Sequence, residues 1–267
     1  MRWPRVDDRR PFLIVLVGLV VLAWLALVVW GQSPSYSRFL SHEALEDTQL
    51  PEGQYFTGAL LFVGGWSLMT VVMMLPTSLP LVFLFERLVQ RRSNGARLIA
   101  LLVAGYLTIW TAFGALAHLG DLGLHQAVER SSWLEENAWI LGAASLLLGA
   151  ASLLLAGAYQ FTPLKYHCLD KCRSPLSFIV EHWRGSHEQA QAFRLGVHHG
   201  LFCVACCWSL MLLMFAVGVG SIGWMLALGA VMAIEKNMPW GRRLSAPLGV
   251  ALLGWGLALV AASWGAG

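Results

Sequence analysis

Apolar residues run along this chain in long, nearly unbroken stretches, parted by short segments where charge, proline and glycine collect. A stretch of about 17–25 such residues crosses a hydrocarbon layer of roughly 30 Å as a helix. About seven stretches fit that pattern, near 12–31, 57–85, 98–119, 138–158, 197–218, 221–235 and 246–264. They predict an all-α fold, a polytopic transmembrane helical bundle. The second stretch is long and contains "MMLPTSLP", so Pro76 and Pro80 should kink or break it. The sixth is short, and the turn before it, around "GVGSIG", is tight.

Loop charge orients the bundle, because short cytoplasmic loops collect Lys and Arg. With the N-terminus inside, the inner segments take Arg2, Arg5, Arg9 and Arg10, then Arg87, Arg91, Arg92 and Arg97. They also take Lys165, Lys171, Arg173, Arg184, Arg194, Lys236, Arg242 and Arg243. Of the 18 basic residues only Arg38 and Arg130 fall outside. The expectation is a cytoplasmic N-terminus, a multi-pass protein of the inner membrane, and an uncleaved first span, since "LAWLALVVWGQSPSYS" lacks a small-x-small cleavage site.

Composition agrees with this layout. The chain of 267 residues is 57% hydrophobic and 12% charged, against about 25% charged in soluble domains, and its mean hydropathy is +0.63. It reads as one integral membrane domain over 1–267, with a cytoplasmic Cys-containing loop at 159–194. Topology accounts for the net charge of +3, so no nucleic-acid partner is expected. The bilayer is the first partner, and a membrane protein or a second copy is a further one. Glycines scattered through the spans let helices approach closely. No Ser-His-Asp, Walker or paired-carboxylate hydrolase signature is visible.

The candidate chemistry lies in "HHGLFCVACCW", residues 198–208. On a helix His199, Cys203 and Cys206 or Cys207 share one stripe, which Met211 and Met214 continue. Thiolates and thioethers favour Cu(I), and thiolates with imidazole also suit Zn(II). One helix cannot close a tetrahedral site alone. The upstream segment "KYHCLDKCRSP" supplies Cys168 and Cys172, so all five cysteines fall near the cytoplasmic end of one pair of helices. An odd number of cysteines facing a reducing compartment argues against a disulfide framework; buried packing and a redox dithiol stay open.

A second group, His118, Asp121 and His125 in "GALAHLGDLGLHQAVER", falls on one face if the third helix continues outward. Two imidazoles and a carboxylate suit Cu(II) or Zn. A simple position in the headgroup zone is the other reading. The methionines of "WSLMTVVMMLP" read first as packing.

Three stretches, "YQFTPLKYHCLDKCRSPLSF", "AFRLGVHHGLFCVACCWSLM" and "GWMLALGAVMAIEKNMPWG", together with "GGWSLMTVVMMLPTSLP" and "GDLGLH", resemble a bacterial family of predicted metal-binding integral membrane proteins over roughly residues 60–243. The resemblance carries over onto Tyr159, Gln160, Pro163, Lys165, Cys168, Cys172, Pro175, Gly196, Gly200, Cys203, Cys206, Cys207, Trp208, Met211, Glu235 and Lys236. The chain departs at Ala205, where the family commonly shows Gly before the paired cysteines.

The sequence therefore predicts a membrane protein that handles, delivers or transports copper, or else zinc, through Cys203, Cys206 and Cys207, completed by Cys168 and Cys172. A metal-dependent membrane oxidoreductase using the outer His/Asp group, and a structural or assembly partner of a membrane complex, are the alternatives.

Overall fold

The computed structural model describes residues 52–129, 138–217 and 222–265, with scattered positions between 18 and 29; the first predicted stretch lies mostly outside the described residues. Among the described residues there is no strand. The helices are α1 (Glu52–Met73), α2 (Leu79–Val89), α3 (Gly95–Glu129), α4 (Ala138–Tyr159), α5 (Pro163–Arg173), α6 (Pro175–His182), α7 (Glu188–Val217), α8 (Ile222–Asn237) and α9 (Ser245–Gly265).

Local chemistry accounts for three of the helix ends. Pro76 has no N–H to give back to α1, and the chain leaves α1 through a short 3-10 turn, Pro76–Ser78, with a bend of 43°. The hydroxyls of Thr77 and Ser78 both donate to the Met74 carbonyl, at 2.8 and 3.4 Å, so an acceptor at the break stays satisfied. Pro80 breaks nothing, because it falls in the first turn of α2, where an N–H has no helical partner anyway. Helix α5 starts on an N-cap: Thr162 Oγ1 accepts from the Lys165 N–H at 3.3 Å, with Pro163 next in line.

Two differences from the sequence reading matter. Residues 159–194 are not an open loop: α5 and α6 fill most of that segment. Helix α7 also begins at Glu188, well before 197, and one face of its early turns, Ala192 and Leu195, is buried. Among the described residues three helices are long and apolar enough to cross a membrane, Gly95–Gly120, Glu188–Met214 and Gly241–Ala262. The bent pair Phe62–Met73 and Pro76–Val89 makes a fourth if it is one span.

The buried residues form two cores. The first joins α1, α3, α4, α5, α7, α8 and α9 around Trp66, Trp110, Met211 and the cysteines. The second, built on Leu81, Phe85, Leu98, Leu102, Phe178 and Leu195, joins α2 and α6 to the early turns of α3 and α7. Helices α3 and α7 thus run through both, side by side and parallel, since Leu102 faces Gly196 while Tyr106 faces Gly200.

Their approach is set by glycine. A Cβ on Gly196 would lie 2.0 Å from the Leu102 carbonyl oxygen, and one on Gly105 would lie 2.2 Å from that of Phe193. Both neighbours are backbone and cannot swing aside. Gly196→Ala should therefore cost about 1–3 kcal/mol as an overpacked contact and lower the Tm in detergent, while Gly254→Ala, which meets nothing within 4 Å, should leave it unchanged. Equal melting of the two variants would show that α3 and α7 are not held this closely.

Candidate functional site

Where α1 breaks, α8 ends and α5 leans on α7, the soft donors of the sequence come together. Cys203, Cys206 and Cys207 lie mid-way along α7 and are buried, as is Cys168 of α5; Cys172 is partly exposed. Cys206 Sγ lies 3.3 Å from Cys207 Sγ and 4.0 Å from Cys172 Sγ. Two sulfurs on one ion, each about 2.3 Å away, stand at most about 4.6 Å apart, so both pairs fit a shared ion. No three His, Cys, Asp or Glu side chains among the described residues already surround one.

Cys203 is the acceptor on which the cluster converges. Lys236 Nζ, at the end of α8, donates to its sulfur at 2.9 Å, and the Tyr106 hydroxyl of α3 sits 3.1 Å from it. The Cys206 thiol donates to the Cys203 backbone carbonyl at 3.2 Å. The hydrogen bond shared with Cys203 holds the Cys172 thiol well above the usual thiol range, and burial pushes Cys168 up. Lys236 reaches Thr77 Oγ1 at 3.2 Å and Met74 Sδ at 3.9 Å besides. A buried ammonium needs an anion to offset its lost hydration, and among these neighbours only a Cys203 thiolate can supply one.

The second buried cation is paired conventionally. Lys165 of α5 meets both oxygens of Glu235 at 2.9 and 3.0 Å, with the two side chains 0% and 1% exposed. Gln160 also accepts from Lys165, and the Ser245 hydroxyl donates to Glu235 at 2.6 Å. Arg173 closes the same corner on backbone carbonyls of Glu235, Met238 and Pro239. This network ties the ends of α4, α5, α8 and α9 together beside the sulfurs.

The other sequence candidates scatter. Cys168 packs in the same core but has no hydrogen-bond-range contact with another sulfur among the described residues. His199 faces Ser78 Oγ at 3.1 Å and stacks on Tyr106, with its Nδ1 buried and unpartnered among the described residues. Helix α3 does continue through 118–125, which puts His118, Asp121 and His125 on one face. His118 stacks on Phe62 at 4.3 Å, while the side chains of Asp121 and His125 lie outside the described residues. Ala205 lends its carbonyl to the Tyr159 hydroxyl. Tyr106 and Thr77 carry no signal in the sequence; Lys236 carried one only as a position marked by the family resemblance.

A family model described as PpoB2, copper chaperone, matches residues 63–259. No curated protein and no solved structure matches the chain.

Removing one partner of the Lys165–Glu235 pair leaves a buried charge uncompensated, which costs about 3–5 kcal/mol. Lys165→Met should therefore lower the Tm sharply, and Lys165→Met with Glu235→Leu should recover most of the loss. A double variant as unstable as the single one would show that the pair is not what holds this corner.

Proposed function

Because the chain belongs to the PpoB2 copper chaperone family, we propose that it is an integral inner-membrane protein that receives Cu(I) from the cytoplasm on the sulfurs around Cys203 and hands it to an acceptor protein. The observation that carries this reading is the meeting of Cys172 with Cys206 and Cys207, at 4.0 and 3.3 Å about Cys206, beside a lysine that donates to the Cys203 sulfur at 2.9 Å. In this reading Cys172, not Cys168, is the contribution of α5, and His199 braces Tyr106 and stays off the ion.

Charge favours Cu(I) over Zn(II) here. A monovalent ion on two thiolates carries a net charge of about −1, which Lys236 offsets; a divalent ion on the same two thiolates leaves the buried site positive, at a desolvation cost. Loading releases one thiol proton, from Cys172, Cys206 or Cys207, as the second S–Cu bond forms. Soft sulfur ligands agree with that choice of ion. Burial keeps water and oxygen from a cargo that both would take away.

Membrane integration is supported by the three long apolar helices and by the placing of the basic residues. The second core, where α2 and α6 pack on the early turns of α3 and α7, then lies toward the cytoplasmic ends of these helices. Arg87, Arg91, Arg92 and Arg97 all lie in that part of the chain.

Purified in detergent under reducing conditions, the protein should bind about one Cu(I) per chain. Cys203→Ser with Cys206→Ser should abolish binding. Lys236→Gln, which removes an outer partner of the site, should weaken Cu(I) by about 10–100-fold and leave Zn(II) unchanged or slightly tighter. Metal mass spectrometry and competition against a Cu(I) chelator measure all three. Wild-type retention of Cu(I) by the double serine variant would sink the reading.

A further inference from the structure

We propose that the interior of the bundle is a thioether relay, along which Cu(I) passes from the cysteine cluster through about half of the membrane to the level of His118. The inference rests on the Cu(I) reading above and adds a route across the bilayer. It starts from where the methionines are. The chain has 9; α1 buries two of them, Met69 and Met73, and the turn that leaves α1 buries Met74. Helix α7 buries Met211 and Met214, and α8 buries Met225 and Met232. All of these belong to the core that holds the cysteines. The second core contains no sulfur among its buried residues. Methionine used as a gap-filler has no reason to prefer one core over the other.

Register stacks the soft donors of α7 and of α8 each on one stripe, and two contacts link these stripes to α1 and its turn. On α7, Cys203, Cys207, Met211 and Met214 follow one another by four, four and three residues, so each lies one turn above the last. On α8, Met225, Met232 and Lys236 follow by seven and four. Lys236 ties the lower end of that stripe to Cys203 at 2.9 Å and to Met74 Sδ at 3.9 Å. Between Met225 and Met232 stands Gly229, and a Cβ there would meet Met73 at 3.7–3.9 Å, so the α1 side chain lies against the α8 backbone at the middle of the stripe.

The span of the line follows from helical rise. Eleven residues from Cys203 to Met214 cover about 16 Å, roughly half of a 30 Å hydrocarbon layer. Helix α3 runs parallel, and Tyr106 touches Cys203. Twelve residues on, about 18 Å along, stands His118, stacked on Phe62. The methionines thus end where an imidazole begins.

Thioethers suit such a passage. They are soft donors for Cu(I), carry no charge and have no proton to lose. Each step forms one S–Cu bond as another breaks; the ion stays Cu(I) throughout. When it leaves the cysteines, the thiol that lost a proton on loading takes one back, and Lys236 again offsets Cys203.

The test uses the full chain in proteoliposomes, with glutathione-buffered Cu(I) outside and a membrane-impermeant Cu(I) chelator dye inside. Met211→Leu with Met214→Leu and Met225→Leu conserves core volume, so fold and Cu(I) stoichiometry should hold while Cu(I) influx falls by about tenfold or more. Should the triple variant melt early, the single variants Met211→Leu and Met214→Leu carry the test, each with a smaller loss of influx. Wild-type influx in stable variants, or Cu(I) binding without influx in the wild-type protein, overturns the relay and leaves chaperone uptake standing. Failure of the wild-type protein to bind Cu(I) removes both.

Discussion

Everything at the candidate site depends on how closely α3 and α7 run. Gly105 and Gly196 face the backbone of the opposite helix at distances no Cβ could occupy. Small residues that let two apolar helices approach this closely favour their association through close packing. The two helices cross the boundary between the sulfur-bearing core and the second core, so their register fixes the level of each. That register brings the Tyr106 hydroxyl onto Cys203 and stacks the same ring on His199. A helix pair held a few ångströms further apart would leave the cysteines in a loose cavity.

The buried charges then specialise the site. Glu235 and Lys236 are adjacent in sequence, and the simplest expectation pairs them with one another. Neighbours on a helix point about 100° apart and do not face each other. Glu235 turns toward α5 and takes Lys165, while Lys236 turns toward α7 and takes Cys203. The first arrangement is a satisfied structural pair, with Gln160 and Ser245 filling the remaining hydrogen bonds. The second gives Lys236 no carboxylate among the described residues, only the Cys203 sulfur, the Thr77 hydroxyl and Met74 Sδ, and that is its chemically unusual feature.

Much of the helical layout was legible because its causes are local. Apolar runs and proline sterics act within a turn or two, so the long apolar parts of α1, α3, α4, α7, α8 and α9 and the break at Pro76 follow from short stretches of sequence. The second core was not legible. The opening turns of α7, "EQAQAFRLG", look polar, and only Ala192 and Leu195 mark the face that packs on Leu98 and Phe178. The segment with Cys168 and Cys172 read as a loop, because two short helices with proline at each start give no long periodic signal. Of its cysteines the outer one reaches the α7 sulfurs, and no spacing rule distinguishes Cys172 from Cys168 across 34 residues.

By itself the sequence determined that this chain is helical, where it breaks, and that its soft donors line one face of α7, since each of these is a matter of period and of bond geometry between near neighbours. Only the tertiary structure decided which sulfurs meet, that Lys236 spends its charge on one of them, and that the methionines of three helices point into a single core. Those outcomes depend on the distance between helices, and that distance is set by side chains too small to announce themselves in a hydrophobic pattern.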